Sequence, residues 1–284
     1  MKLILGGAQF GQRYGIYNKK IINFEELTRS INLAKKNKIF IIDTSFNYKK
    51  GHHTIEKLNL KNFKIITKLK LKNKKHIYYL NNQIKQSLDK LKIKKFFAIL
   101  IHDYKNLLSR TGKEFLNELY KLKKNGLVDK IGISIYSPDD LEIIWKFWKP
   151  EIVQAPFNVF DKRIYDSGWL HKLKKNKIIF IARSVFLQGA LLQDITKNLR
   201  YFYNYIDLFH RWLEWCKQKK ISQIKACLDY IKKFKEIDYV IIGFNSYFQF
   251  KEILSHYKKK KYHIPDIFNS KEIKLIDPRQ WKKK

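Results

Sequence analysis

The feature that most constrains this chain is a series of eight short, almost wholly apolar runs, most of them separated by longer stretches of helical pattern. The runs are Lys2–Gly7, Ile39–Asp43, Lys64–Lys68, Phe97–His102, Lys130–Ile135, Ile152–Gln154, Ile178–Arg183 and Tyr239–Gly243. Ile39-Phe40-Ile41-Ile42 and Ala98-Ile99-Leu100-Ile101 do not alternate with polar residues, which predicts parallel strands buried on both faces. Between the runs, Phe24 to Asn37 places Leu27, Ile31 and Ala34 on one helical face behind a cap pair, Asn23 and Glu26. Lys113 to Asn125 stacks Phe115, Leu119 and Leu122 and stops near Gly126, a common exit residue. Pro138 opens another helix, where its missing N–H costs nothing. The seventh interval is long enough for helices around Tyr205–Lys220 and Ser222–Lys233. Eight strands alternating with helices predict an α/β fold, a closed (β/α)8 TIM barrel. Such a barrel needs about 250 residues, so the 284 present predict a single domain over residues 1–284, with a basic C-terminal tail from about Lys258.

The formal charge of +35 points at first to nucleic acid or an anionic surface. The lysines, however, are spread along the whole chain. They accompany abundant Ile, Asn, Phe and Tyr and scarce Gly and Pro, a composition that AT-rich codon usage produces in any protein. Only Lys258–Lys261 and Lys282–Lys284 form basic clusters. There is neither an aromatic stacking platform nor a recognition motif for nucleic acid. Apolar runs fall short of the roughly 20 residues that span a bilayer, and the N-terminal one is too short for a signal peptide. Cys216 and Cys227 lack metal or redox spacing and read as reduced thiols, so the expected location is cytoplasmic. No phosphate-loop or Rossmann glycine fingerprint follows a strand.

In a barrel of this kind the chemistry sits at the C-terminal ends of the strands. The second run ends in Asp43, with Tyr48 in the loop beyond it; the third ends in Lys68 and the fourth in His102. Neighbouring strands thus bring a carboxylate, a phenol, an ammonium and an imidazole to one rim. Each has a plain alternative: Asp43 as a turn cap, Lys68 as one lysine among many, Tyr48 as one of 17 tyrosines.

The segment Ile42-Asp43-Thr44-Ser45-Phe46-Asn47-Tyr48 resembles the Asp-Thr-Ala/Ser-x-x-Tyr stretch of the aldo-keto reductase family, in particular a bacterial branch of it. Ile66-Thr67-Lys68 and Leu100-Ile101-His102 are similar to its lysine and histidine strands. Leu5-Gly6-Gly7-Ala8-Gln9-Phe10-Gly11 resembles its opening strand, and Gly126 through Ser134 its Gly-x-x-x-x-x-Gly-[Ile/Val]-Ser signature. The match keeps its order over nearly the whole chain. It implies an NADP(H)-dependent oxidoreductase that reduces an aldehyde or ketone to an alcohol. In that reading Tyr48 donates the proton, Lys68 lowers the phenol's pKa, Asp43 holds Lys68, and His102 orients the carbonyl while the nicotinamide supplies hydride.

By the same resemblance Gly7 and Asp43 lie beside the cofactor, and Ser134 and Gln154 hold the nicotinamide carboxamide, with Ile135 in place of the usual Asn. Arg183 stands where the family stacks an aromatic ring on the nicotinamide, and its flat guanidinium is able to stack there. Ser184, Gln188 and Gly189 fall on the pyrophosphate loop; Gly243, Asn245, Ser246, Gln249 and Glu252 fall on the adenosine-phosphate segment. Gln249 replaces the Arg that grips a 2′-phosphate, and Ser246-x-x-Gln249 reads equally as a capping box. NADP(H) is therefore expected, with NAD(H) left open. Tyr48 is followed by Lys49-Lys50-Gly51-His52-His53-Thr54-Ile55-Glu56, a longer and more basic loop than the family's. His52 and His53 read there as solvated, not as metal ligands, and the loop's charge favours an anionic substrate. The expected partner is a small carbonyl compound, a sugar derivative being one candidate, with no specific nucleic acid, membrane, metal or obligate protein partner. Phe46, Phe157 and Trp169 are the aromatic residues expected near it. The alternative function is a non-catalytic NADP(H)-binding regulatory barrel.

Overall fold

Strands apolar on both faces must be covered twice, by helices outside and by one another inside, and closing the sheet on itself does both. The computed structural model of the chain describes residues 1–15, 21–46, 48–71, 74–193 and 200–281, with the side chains of 49–52 and 200 left undescribed. Its first half runs β1 (Lys2–Gly6), α1 (Phe24–Lys36), β2 (Ile41–Asp43), α2 (Lys49–Glu56), β3 (Lys64–Leu69), α3 (Lys74–Leu91) and β4 (Phe96–Ile101). Then follow α4 (Lys105–Leu108), α5 (Gly112–Lys124), β5 (Val128–Ser134), α6 (Pro138–Ile144), β6 (Ile152–Pro156), α7 (Arg163–Asp166) and α8 (Trp169–Lys175). The last part is β7 (Ile179–Arg183), α9 (Ile206–Gln218), α10 (Gln223–Ile231), β8 (Tyr239–Ile242), α11 (Tyr247–Lys258) and α12 (Ile273–Ile276). The eight strands form a closed parallel barrel in sequence order, sealed where Leu3 meets Val240 and Leu5 meets Ile242.

Each of the eight apolar runs overlaps a strand. Ile4, Ile66, Ala98, Leu100, Ile152 and Ile181 pack together in a small buried cluster that fills the bore. The large outer cluster joins the opposite faces of the strands to the helices, for example Ile65, Ile99 and Val153 with Ile84, Phe115 and Leu141. The helix ends follow the sequence signals. Asn23 Oδ1 accepts from Glu26 N at 2.8 Å, and Ser137 with Asp140 forms a reciprocal capping box ahead of Pro138. Gly126 leaves α5 with φ +73°.

Two expectations change. The stretch after Tyr48 is helix, not loop: α2 starts at Lys49 and is anchored by the fully buried Ile55. His53 is exposed on α2 and lies 3.2 Å from Glu56; the His52 side chain lies outside the described residues. Beyond Lys258 the chain buries Ile264, Phe268, Leu275, Ile276 and Trp281 instead of trailing as a basic tail; Lys282–Lys284 lie outside the described residues.

Gly132 tests how tightly the barrel closes. A Cβ there would stand 2.4 Å from the Ile152 carbonyl oxygen and 2.8 Å from Leu100 Cδ2. Gly132→Ala should cost about 1–3 kcal/mol of stability through overpacking. Gly126→Ala meets no neighbouring atom and should cost only the left-handed backbone penalty of about 1–2 kcal/mol. Urea unfolding of the two variants checks the first figure; an unchanged midpoint for Gly132→Ala would show that the strands can part there.

Candidate active site

Side chains alternate along a strand, so the residue two beyond an inward apolar one also points inward. Applied to the bore, that rule steps from Ile4 to Gly6, Ile41 to Asp43, Ile66 to Lys68 and Leu100 to His102. It steps likewise from Gly132 to Ser134, Ile152 to Gln154, Ile181 to Arg183 and Ile241 to Gly243. All eight of these end points line one cleft. The apolar plug of the barrel is thus the floor of a polar site.

Lys68 is almost fully buried, and a buried ammonium needs a counter-charge. It donates at 2.5 Å to Asp43 Oδ2 and at 3.1 Å to the Thr44 carbonyl. Asp43 Oδ1 accepts at 2.8 Å from Gln154 Nε2, a bond that joins β2 to β6 across the bore. Gln154 Oε1 in turn accepts from Ser134 Oγ at a long 3.5 Å. Burial lowers the Lys68 pKa, with Asp43 opposing. His102 is pushed down to about 4 by burial and by the charges of Lys68 and Arg183, so its ring is neutral at pH 7.

Tyr48 lies in the same cleft, its ring edge-on to Tyr14 with centroids 6.2 Å apart. Its phenol is pushed well above its ordinary value by burial, then by Tyr14 and Asp43; Arg183 is the cation that opposes them. The expected lowering by Lys68 is therefore not found, because the ammonium's described bonds go to Asp43 and Thr44. Tyr48 is protonated at neutral pH.

Arg183 does not have both faces free for stacking. Its guanidinium lies 4.1 Å from the centroid of Tyr136 and donates at 2.9 Å to the Ile135 carbonyl and at 3.4 Å to Ser184 Oγ. Directly after it, Ser184 (φ 58°), Leu187 (φ 46°), Gln188 (φ 53°) and Gly189 (φ 95°) adopt left-handed backbone. Such conformations cost about 1–2 kcal/mol for each non-glycine residue, and strain of this kind collects at ligand sites. Gly15 is required opposite, since a Cβ there would lie 2.9 Å from the Gln188 carbonyl oxygen.

At the far end Gly243, Asn245 and Gln249 line the cleft, with Gln9 hydrogen-bonded to Asn245 and Gln249 Oε1 accepting from Asn245 N at 2.7 Å. Three expected residues do not reach it. Gly7 is buried behind the Asp43 backbone, Ser246 caps α11 through Gln249 N, and Glu252 faces His256 at 3.6 Å. Gln9, Tyr14 and Tyr136 line the cleft without having been singled out. Tyr136 lies two residues past the expected Ser134, so one further step along that strand end would have found it; Tyr14 sits in a loop that carries no sequence signal. Phe157 and Trp169 are core residues, and Phe46 packs edge-on against Phe96.

The Aldo/keto reductase family model matches residues 2–272. The chain belongs to the aldo/keto reductase family. That family comprises oxidoreductases acting on small carbonyl compounds with NAD(P)H. Among solved structures, the holo form of an aldo-keto reductase from Bacillus halodurans is similar over 92% of this chain and 88% of its own, at 15% identity and TM-score 0.74. A glycerol dehydrogenase from Gluconobacter oxydans matches over 92% and 87%, at 16% identity and TM-score 0.70. A Pseudomonas aeruginosa protein described as a putative aldo-keto reductase matches over 90% and 88%, at 15% identity and TM-score 0.66. No curated protein matches in sequence. At these identities the structural likeness concerns the fold.

The buried pair makes its own prediction. Asp43→Asn leaves Lys68 without its counter-charge and should cost about 3–5 kcal/mol. The double variant Asp43→Asn/Lys68→Met should recover most of that loss in denaturant unfolding. His102 adds a pH signature. Its folded pKa lies below the unfolded value, so the unfolded state binds the proton first, and stability should fall as pH drops from about 6.5 to about 4. His102→Gln should flatten that slope; an unaltered slope would mean that His102 titrates normally.

Proposed function

We propose that the chain is an NADP(H)-dependent reductase that converts an aldehyde or ketone to an alcohol, with Tyr48 as proton donor. The observation that carries the reading is one cleft holding a protonated phenol, a neutral imidazole and a neutralised lysine–carboxylate pair. The nicotinamide, when bound, supplies hydride. The chain's own residues do the rest. Neutral His102 is able to donate a hydrogen bond to the carbonyl oxygen without delivering a proton of its own. Tyr48 passes its hydroxyl proton to that oxygen as negative charge builds on it. The positive charge of Arg183 favours the phenolate left behind, and Asp43 holds Lys68 in place beneath the site.

The residues fit the cofactor. Ser134 and Gln154 offer amide-binding groups at the floor, and the left-handed run at Ser184, Gln188 and Gly189 offers backbone for phosphates. Gly243, Asn245 and Gln249 line the adenosine end. Among the described residues Asp43 is the only carboxylate lining the cleft, so a 2′-phosphate meets no acidic side chain of the kind that commonly receives the free ribose of NAD. The same end offers no described cation to a 2′-phosphate either, so NADP(H) rests on the family resemblance and NAD(H) stays open. A cytoplasmic location accords with the free, buried Cys216 and Cys227; among the described residues no helix is long and apolar enough to cross a membrane.

NADPH oxidation against a panel of aldehydes and ketones tests the proposal, with Tyr48→Phe beside the wild type. Turnover should fall about 100-fold or more in the variant while fluorescence titration still detects NADPH binding. Equal rates would remove Tyr48 from the mechanism. NADPH binding without turnover of any carbonyl would favour the regulatory barrel, and tighter binding of NADH than NADPH would reverse the cofactor preference.

A further inference from the structure

Tyr136 lines the cleft although it belongs to no strand, and its ring is held by two arginines. Arg183 Cζ lies 4.1 Å from the ring centroid and Arg279 Cζ lies 3.8 Å from it. An aromatic ring offers a cation two faces, and two guanidiniums this close to one centroid need one each. Arg183 stands in the cleft; Arg279 is not among the lining residues and comes from the C-terminal segment beyond α12. Arg279, Tyr136 and Arg183 thus form a three-layer stack that runs from outside the cleft to its reacting end. The backbone of Tyr136 is pinned as well. Its N–H donates to Asp140 Oδ2 at 3.0 Å, and its carbonyl accepts from Arg163 Nη2 at 3.1 Å.

The outer arginine is built as an anchor. Two cations on one ring repel, but Arg279 is neutralised by the buried Asp277, whose Oδ2 accepts from Nε at 3.0 Å and from Nη2 at 2.6 Å. Arg279 therefore supports the ring as a flat surface and adds little field of its own. The chain on either side is tied down. Tyr201 Oη donates to the Lys274 carbonyl at 2.7 Å, and the buried Trp281 donates through Nε1 to the Leu275 carbonyl at 3.1 Å. Arg183, by contrast, has no described carboxylate partner; it donates to the Ile135 carbonyl at 2.9 Å and to Ser184 Oγ at 3.4 Å. Its place is thus set by one firm hydrogen bond and the Tyr136 face. The charge of Arg183 and the phenol of Tyr136 both act on Tyr48, so a shift of the stack is a shift of the wall beside the proton donor.

We propose that Arg279 is a positioning residue: from outside the cleft it holds Tyr136 against Arg183 and so sets the wall beside Tyr48 for the reaction. It touches neither substrate nor cofactor and acts only through the ring of Tyr136. The role rests on the reductase reading above and adds to it a residue that neither strand parity nor the cleft lining reveals. Small misplacements around a reacting centre cost rate more steeply than they cost binding. Loss of the brace should therefore slow turnover more than it weakens the hold on the carbonyl compound.

The test is a double-mutant cycle on Arg279→Met and Tyr136→Leu, read in kcat and KM for an aldehyde that the wild type reduces, and in NADPH affinity by fluorescence titration. Arg279→Met should lower kcat about tenfold while KM stays within about twofold. Arg279→Lys keeps a cation for Asp277 and for the ring, and should recover part of that loss. In the Tyr136→Leu background Arg279→Met should have no further effect, because the ring that transmits the brace is gone. Wild-type kcat in either single variant overturns the proposal. So do losses that multiply in the double variant, since the two residues would then act separately. A loss confined to KM, or Arg279→Lys no better than Arg279→Met, likewise overturns it. Should Arg279→Met fail to fold because Asp277 is left charged, Asp277→Asn/Arg279→Met supplies the same comparison without the orphan carboxylate. A wild type that binds NADPH and turns over no carbonyl defeats the reductase reading, and the affinity cycle then decides alone. Coupled losses of NADPH affinity sustain the brace; absent or independent losses overturn it.

Discussion

Closure of the barrel is the constraint on which everything else depends. Once Leu3 lies beside Val240 and Leu5 beside Ile242, all eight parallel strands must point their C-terminal ends at one rim. Strand pleating then does the sorting. Ile66 and Lys68, Leu100 and His102, Ile152 and Gln154, Ile181 and Arg183 share a face because they are two residues apart. The same alternation that fills the bore with isoleucine and leucine delivers the polar ring above it. Fold and site are therefore two layers of one pattern.

This is why so much was legible in the sequence. Asp43, Lys68 and His102 close or directly follow apolar runs, and a run that ends abruptly in a charged or polar residue marks the floor of a cleft. Ser134, Gln154, Arg183 and Gly243 came through family likeness, yet they obey the same parity. What escaped lies off the strands. Tyr14 and Gln9 belong to the stretch after β1, where no periodic signal exists, and their roles emerge only when β1 meets β8. The stretch after Tyr48 reads as loop by family likeness, and Lys49-Lys50-Gly51-His52-His53 has no apolar period to oppose that; buried Ile55 is the anchor that makes it helix.

The electrostatics were harder to read than the positions. The closeness of Lys68 to Tyr48 along the rim suggests a depressed phenol, but the described bonds of the ammonium go to Asp43 and the Thr44 carbonyl. With that pair closed, Arg183 is the remaining cation acting on Tyr48. Its stack on Tyr136 and the brace from Arg279 show how a residue from beyond α12 bears on a group at the end of β7.

The hydrogen bond from Gln154 to Asp43 crosses the bore from β6 to β2 and works like a tie-rod in a ring of staves. A ligand that tried to pry the mouth wider would have to stretch a buried, charge-assisted bond whose carboxylate is also clamped by Lys68. The floor is consequently a stiff template of set diameter. Any accommodation to molecules of different girth falls to the loops above it, so that diversification within such an architecture proceeds by changing the collar while the ring itself stays untouched.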